Sequence, residues 1–303
     1  MDSADGRGVG AVKVALLTIA SVTAFAGNSV LCRLALLAPE EGPAPIDPLS
    51  FTAVRLGAGA LVLSPVLLAA RGRWREAGAS WGGVIALAVY AVAFSLSYVT
   101  LPAGVGALLL FGLVQITMVS AGLLTGERLG LVRGAGMLTA AGGVVLLVAP
   151  TGDLLAGTDV DPRGAALMAA AGVAWGAYSL AGRGQPRPVR LTAVNFALCL
   201  PLAALLLVLS SREWSAEGLL LAAASGAITS GAGYAIWYAA LSGHTATSAA
   251  VVQLTVPVLA AAGGVVWLDE AVTPRGVAAA ALVLGGVAVA LLAGARSAAK
   301  ARR

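Results

Sequence analysis

Ten long apolar runs divide the chain, and they constrain its fold more than any other feature. A helix that crosses the hydrocarbon core of a bilayer needs about 20 mostly apolar residues, and each run is close to that length. None alternates apolar with polar residues, as the strands of a membrane β-barrel do. The sequence therefore predicts an all-α polytopic membrane protein with ten transmembrane helices. The runs cover residues 14–35, 49–70, 81–101, 104–125, 134–150, 164–182, 191–210, 218–241, 247–268 and 276–294.

Composition excludes the main soluble classes. Of the 303 residues, 59% are hydrophobic and 11% are charged, and the mean hydropathy is +0.92. A soluble domain carries roughly 25% charged residues, so this chain cannot cover a globule of its size with polar surface. Both cysteines, Cys32 and Cys199, lie inside apolar runs and fit neither a zinc-binding nor a redox spacing. A cytosolic enzyme, a disulfide scaffold and a disordered chain are therefore excluded.

The basic residues predict the orientation of the helices. The net charge of +5 would suggest nucleic acid as a partner of a soluble protein, but here the positions matter more than the sum. With the N-terminus placed inside, only Arg163, Arg212 and Arg275 fall in outer segments. Basic residues concentrate in cytoplasmic loops, so we expect both termini in the cytoplasm, an inner-membrane location and an external 151–163 loop. The inner segments hold Arg7, Lys13, Arg71, Arg73, Arg75, Arg128, Arg133, Arg183, Arg187, Arg190, Arg296, Lys300, Arg302 and Arg303.

Short matches between the two halves indicate an internal repeat. AFAGNSVLCR at 24–33 and AWGAYSLAGR at 174–183 share an aromatic residue, a serine and a closing arginine in register. TAVR at 52–55 is followed in the second half by TAVN at 192–195. The matches predict two five-helix repeats, 1–150 and 151–303. Because five is odd, the second repeat is inverted relative to the first, which is typical of secondary transporters with a substrate site between the halves.

The architecture and four short motifs resemble the drug/metabolite transporter superfamily, EamA-type branch. The motifs are Ala26-Gly27-Asn28-Ser29, Arg55, Gly126-Glu127-Arg128-Leu129 and Asp269-Glu270. The resemblance implies a basket of helices around a central cavity lined mainly by spans 1, 3, 4, 6, 8 and 9. It also implies transport of small metabolites, commonly amino-acid export. The family often has a proline in the middle of span 4, where this chain has none. Pro257 is kept in span 9, so we expect a hinge there and a stronger kink in the second half.

Two charged residues fall within the spans. Arg33 lies near the outer end of span 1, where its side chain could reach the interface by snorkelling. Arg55 lies about 10 Å into span 2, where an arginine is costly and usually faces a cavity or a partner. Two roles stay open for Arg55, a structural bond to another span and an active role in the cavity. No Asp or Glu lies in any span, which favours a neutral, zwitterionic or anionic substrate over a quaternary ammonium ion.

Polar and aromatic residues within the spans are the other candidates for the substrate cavity. A buried amide needs a partner in lipid, so interhelical hydrogen bonding is the alternative role for the amides. For the tryptophans the alternative is anchoring at the lipid interface. With Arg55, the candidates are Asn28, Tyr90, Tyr98, Gln115, Trp175, Tyr178, Tyr234, Trp237 and Gln253.

Acidic residues at mirror-related helix ends predict structural braces or gates. A helix C-terminus disfavours an anion, so each needs a basic partner. We expect Glu127 to pair with Arg128 or Arg133, and Glu270 with Arg275.

The functional hypothesis is a secondary transporter, most simply an exporter, of small polar metabolites such as amino acids by alternating access. No catalytic, nucleotide-binding or metal-binding motif is present, so we expect no enzyme activity, no cofactor and no metal. The expected partners are a small-molecule substrate and the lipid bilayer, without nucleic acid. Two alternatives stay open, a membrane-embedded lipid-modifying enzyme and a non-transporting membrane scaffold.

Overall fold

The apolar runs are helical wherever the structure describes them. The computed structural model describes residues 2–39, 42–69, 80–124, 130–148, 160–182, 185–212, 214–241, 243–244 and 252–301. Within these ranges there is no β-strand, only an isolated bridge between Ile46 and Trp214. The prediction of an all-α polytopic fold is confirmed.

Ten helical segments follow the predicted runs closely. Eight of those described are long and apolar enough to cross a membrane, and α3 and α9 are shorter apolar helices. α1 begins at Asp2, twelve residues before the predicted start at residue 14, so the polar N-terminal residues belong to the same helix. The segments are α1 (Asp2–Leu36), α2 (Pro48–Ala69), α3 (Trp81–Ser97), α4 (Ala103–Leu124), α5 (Leu131–Val148), α6 (Pro162–Gly182), α7 (Pro188–Leu209), α8 (Ala216–Leu241), α9 (Thr255–Leu268) and α10 (Pro274–Ala301).

Three of the second-half helices are irregular. α7 is interrupted at Cys199, two residues before Pro201, which has no amide hydrogen to donate. α8 changes into a π-helix over Ser225–Ala232 and then returns to α-helix. The predicted run 247–268 is described as helix α9 only from Thr255, preceded by a turn at Leu254.

The helix packing relates the two halves in pairs. The third and fourth helices of each half pack on the first helix of the other half. α3 and α4 pack on α6, and α8 and α9 pack on α1. The corresponding helices α2 and α7, α4 and α9, and α5 and α10 pack on each other. This exchange of partners is what the predicted pair of inverted five-helix repeats would produce, and the repeat itself stays a prediction. The repeat boundary at residue 150 lies outside the described residues and stays a prediction.

α5 and α10 form a close helix pair through small residues. A Cβ atom at Gly136 would lie 2.6 Å from the carbonyl oxygen of Gly286, and one at Gly143 would lie 2.9 Å from that of Ala279. The contact partner moves backward along α10 as the chain moves forward along α5, so the two helices are antiparallel. Small residues allow this close backbone approach.

Candidate functional site

A narrow pocket lies where helices of the two halves meet. Residues of α1, α3, α4, α6 and α8 line it, whereas α9, expected from the resemblance, contributes none of them. Aromatic side chains dominate the lining, and three polar side chains interrupt it. The lining residues are Phe25, Asn28, Ser29, Tyr90, Phe94, Leu110, Phe111, Trp175, Thr229 and Tyr234.

The aromatic frame of the pocket is built from equivalent pairs. The rings of Phe25 on α1 and Tyr234 on α8 have centroids 5.8 Å apart, and those of Trp175 on α6 and Tyr90 on α3 are 4.7 Å apart. Trp175 also lies 5.0 Å from Tyr234, which joins the two pairs. These spacings are in the range of favourable ring contacts. The frame therefore connects four helices and both halves.

Asn28 organises the polar wall of the pocket. Its Nδ2 donates to the hydroxyl of Tyr90 at 3.3 Å. Its Oδ1 accepts hydrogen bonds from the hydroxyls of Ser225 at 2.7 Å and Thr229 at 3.0 Å. A carbonyl oxygen has two lone pairs, so the acceptor capacity of Asn28 is filled. The side-chain amide of Asn28 therefore has three hydrogen-bond partners, one on α3 and two on α8.

Arg55 lies directly behind this wall. Its side chain is buried, with 2% of the residue exposed. Nη2 donates to the hydroxyl of Tyr90 at 2.9 Å, and Nε donates to the hydroxyl of Ser230 at 3.3 Å. The guanidinium carbon lies 5.1 Å from the centroid of Tyr90 and 4.7 Å from that of Phe94, within reach of cation–π attraction. Nη1 is buried without a hydrogen-bond partner.

Close approach of α2 and α8 places Arg55 beside its partners. A Cβ atom at Gly226 would collide with the backbone oxygen of Arg55, so only glycine fits there. Hydrogen bonds of a π-helix join residues five apart, which places Ser225 and Ser230 one turn apart on the same face. One serine then reaches Asn28 while the other reaches Arg55.

The predicted cavity residues separate into two groups. Asn28, Tyr90, Trp175 and Tyr234 line the pocket, and Arg55 touches two of its lining rings. Five others do not line it, and their roles as cavity residues stay predictions. Three of these are aromatic: Tyr98 is buried and its hydroxyl donates to the Ala103 carbonyl, Tyr178 stacks on Trp175, and Trp237 packs on Phe25. The other two are amides. Gln115 is buried and its Nε2 has no hydrogen-bond partner, and Gln253 is half-buried.

Sequence reasoning missed the hydroxyl residues of α8. Ser225, Thr229 and Ser230 contact Asn28 or Arg55, although short hydroxyl side chains are common in membrane helices and carry little signal. Their grouping with Gly226 and Gly231 within an apolar run is the signal that was available. It indicates a face on which another helix approaches closely.

Glu270 forms an ion pair at the predicted outer end, with a partner other than the one predicted. Arg33 Nε lies 3.4 Å from Glu270 Oε1, and Arg33 Nη1 donates to the carbonyls of Tyr98 at 2.9 Å and Val99 at 2.8 Å. The expectation that Arg33 snorkels to the interface is wrong, because these acceptors hold it inside the protein, with 9% exposed. The expected Arg275 pair is also absent among the described contacts, since Arg275 Nε donates to the Leu146 carbonyl at 2.7 Å.

The carboxylate of Glu270 also caps a helix. Both of its oxygens accept from the amide of Ala103, at 3.0 and 2.8 Å, at the start of α4. A helix N-terminus favours an anion. Burial raises the pKa of the Glu270 carboxyl, and the Ala103 amide and the Arg33 guanidinium oppose that rise. Glu127 and Arg128, the other predicted brace, lie outside the described residues.

Pro257 lies in the first turn of the described part of α9. Proline has no amide hydrogen for the carbonyl four residues earlier, which belongs to Gln253. The helix is interrupted at Leu254, one residue after that carbonyl. This local break is consistent with the predicted hinge, which stays a prediction as a moving part. Among the described residues, no group of three His, Cys, Asp or Glu side chains could hold a metal ion.

Comparison with known proteins identifies the family. The sequence model of the EamA-like transporter family matches residues 162–292, which run from α6 into α10. The chain is 49% identical over 279 residues to the uncharacterized protein PA1977 of Pseudomonas aeruginosa (strain PAO1), covering 91% of this chain and 93% of that protein. The chain belongs to the EamA-like transporter family. The predicted membership of the drug/metabolite transporter superfamily is therefore confirmed.

A solved crystal structure has the same fold. It covers 93% of this chain and 98% of its own, with a TM-score of 0.60 and 24% sequence identity. The EamA family consists of transporters rather than enzymes, and the apolar helices make this member a multi-pass membrane protein.

Proposed function

We propose that this EamA-type protein is a secondary transporter that exports small polar metabolites, such as amino acids, across a bacterial inner membrane. Both termini lie in the cytoplasm, and the partners are a small-molecule substrate and the lipid bilayer, without nucleic acid. The substrate is neutral, zwitterionic or anionic, because the only charged residues inside the predicted spans are arginines.

The polar cluster of Asn28, Tyr90 and Arg55 inside an aromatic pocket is the observation that carries this proposal. Polar and ionisable groups in the membrane interior are expensive, and they mark substrate pathways. A protein that only packs against partners has no need of a buried guanidinium beside a pocket between its halves. The pocket is lined by helices from both halves of the chain, and inverted-repeat transporters bind substrate between their repeats.

Alternating access follows from this position. The aromatic rings leave only a narrow space in the present conformation, so binding and release require the helices around them to separate. We propose that the two halves rock about the pocket, with the Arg33–Glu270 pair closing the outer end.

The test is a flux assay in proteoliposomes with amino acids, nucleobases and organic anions and cations. We expect saturable counterflow of at least one neutral, zwitterionic or anionic compound, and reduced flux in Asn28→Leu. Thr139→Val is the matched control, since Thr139 is an exposed hydroxyl residue of α5 away from the pocket. No flux of any compound, or equal flux in the two variants, would contradict the proposal.

Orientation has a separate test. A cysteine introduced at Ala156, in the predicted outer loop, should react with an impermeant maleimide added to intact cells. Labelling only after the cells are opened would reverse the proposed topology.

A further inference from the structure

The charge of Arg55 has no compensating carboxylate in the part of the chain that the structure describes. The only ion pair between described side chains joins Arg33 to Glu270. The guanidinium of Arg55 has two hydroxyl groups and two ring faces as neighbours. An uncompensated buried charge is strongly unfavourable. A bound anion would supply what the protein does not.

The hydrogen-bonding groups around the pocket offer donors in excess. Arg55 Nη1 and the hydroxyl of Ser29 are buried without partners. The hydroxyl of Tyr90 accepts from both Asn28 and Arg55, so its own proton points to a third group, either the neighbouring hydroxyl of Tyr234 or a ligand that takes its place. A carboxylate accepts such bonds at both oxygens, and a guanidinium is its best-matched donor.

The strongest acceptor of this wall, the carbonyl oxygen of Asn28, is closed to a substrate ammonium group, which leaves only neutral hydroxyl oxygens. An ammonium group has three donors and no acceptor. The carbonyl oxygen of Asn28 is already filled by Ser225 and Thr229. A zwitterion would therefore bury its ammonium group beside a guanidinium, where repulsion and unmade hydrogen bonds both weaken binding.

The rest of the lining selects the body of the ligand. Six of the lining side chains are aromatic rings. They lie against one another in this conformation, and once the helices separate they would hold a flat apolar group by the same ring contacts. Two of these rings, Tyr90 and Phe94, also lie against the guanidinium. A carboxylate on a short apolar stem would place its charge toward Arg55 and its body among the rings.

We propose that the pocket binds carboxylate anions with a planar apolar body and without an ammonium group. The carboxylate faces the wall formed by Arg55, Tyr90 and Asn28, and the body lies against Trp175 and Tyr234. This inference rests on the proposed transport function and narrows its substrate class from small polar metabolites to aryl carboxylates.

The first experiment measures binding to the purified full-length protein through the fluorescence of its six tryptophans, of which Trp175 lines the pocket. The probes are 3-phenylpropionate, phenylalanine, phenethylamine, 3-phenyl-1-propanol and sodium chloride. We expect 3-phenylpropionate to bind at least about tenfold more tightly than phenylalanine or the alcohol, and phenethylamine not to bind. Equal or tighter binding of phenylalanine, no binding of any probe, or chloride binding that excludes 3-phenylpropionate would overturn the proposal.

Variants test the assigned wall. Tyr90→Phe should lower the affinity ratio of 3-phenylpropionate to 3-phenyl-1-propanol about tenfold, because only the carboxylate uses the missing hydroxyl. Tyr238→Phe removes the hydroxyl of a half-buried tyrosine of α8 that does not line the pocket, and it should leave the ratio unchanged. Arg55→Lys should retain more of this ratio than Arg55→Gln. A ratio that is the same in wild type and Tyr90→Phe would contradict the assignment even if Arg55→Gln failed to fold.

Counterflow in proteoliposomes separates this inference from the proposed function. Flux of phenylalanine without flux of 3-phenylpropionate would leave a transporter and overturn the substrate class. Absence of flux for every compound in the wider screen would overturn the transporter itself. Flux of 3-phenylpropionate exceeding that of phenylalanine supports both.

Discussion

The two arginines inside the predicted membrane spans have opposite surroundings. Arg33 on α1 meets a carboxylate and two backbone carbonyls. Arg55 on α2 meets only hydroxyl groups and aromatic rings, and one of its nitrogens has no partner. Both are buried in a chain whose spans contain no acidic residue. Both guanidinium groups are charged, but the charge of Arg33 is compensated by a carboxylate and that of Arg55 is not.

Depth in the membrane explains the difference. Arg33 lies within the last turn of α1, so a loop residue such as Glu270 can fold back onto it. Arg55 lies about 10 Å from the start of α2, beyond the reach of loop carboxylates. Charge at a helix end therefore serves to hold helices together, whereas charge in the middle is available to a ligand.

Arg55→Met should separate transport from stability. Loss of a buried charge contact to substrate should lower flux about a hundredfold, which corresponds to roughly 2.7 kcal/mol. The free energy of unfolding should stay the same or rise, because an uncompensated charge is replaced by an apolar side chain of similar length. Counterflow and chemical unfolding in mixed micelles measure the two quantities. A large loss of stability would show that Arg55 is a structural residue like Arg33.

Arg33→Gln should have the reverse effect on stability. Removing one partner of a buried ion pair leaves Glu270 uncompensated, and we expect a loss of about 3 kcal/mol at pH 8. The double variant Arg33→Gln/Glu270→Gln should recover most of that loss. Glu217→Gln is the control, since it removes an exposed acidic residue from a helix N-terminus. A double variant no more stable than Arg33→Gln would show that the pair contributes little.

The pH dependence of stability should follow the Glu270 carboxyl. Its folded-state pKa is raised by burial above the ordinary value of 4.5, so the folded protein binds the proton more tightly than the unfolded chain. Its contribution to the free energy of unfolding therefore decreases as pH rises from about 4.5 through the folded-state pKa, and is constant above it. Arg33→Gln should widen this window and Glu270→Gln should remove it. Unfolding between pH 4 and 8 tests the sign, which is wrong if wild type gains stability across the window relative to Glu270→Gln.

Ser230→Ala should have the smallest effect. It removes the hydroxyl that accepts from Arg55 Nε at 3.3 Å, and we expect a change of about 1 kcal/mol in stability. Flux should fall only a few-fold, because the bond between Arg55 and Tyr90 is kept. Thermal unfolding and counterflow on the same preparation measure both. A loss of flux as large as that of Arg55→Met would mean that Ser230 contacts substrate directly.

The sequence predicts the helices well because hydrophobicity over 20 residues is a local property. It also identifies Asn28 and Arg55 as unusual, since a polar group in an apolar run stands out without any structure. The partners are harder to find. Nothing local in Ser225 or Ser230 distinguishes them from other small residues, and the choice of Arg33 over Arg275 as partner of Glu270 depends on how α1, α4 and α9 meet. The π-helix in α8 has no strong sequence signal either.

That π-helix determines which residues of α8 share a face. Five residues of an α-helix turn through about 500°, so rewinding Ser225–Ala232 into α-helix would leave Ser225 and Ser230 roughly 140° apart around the axis. Ser225 could stay on Asn28 while Ser230 turned away from Arg55. The guanidinium would then be released from one of its two hydroxyl partners by a change within a single helix, without rigid-body movement of either half.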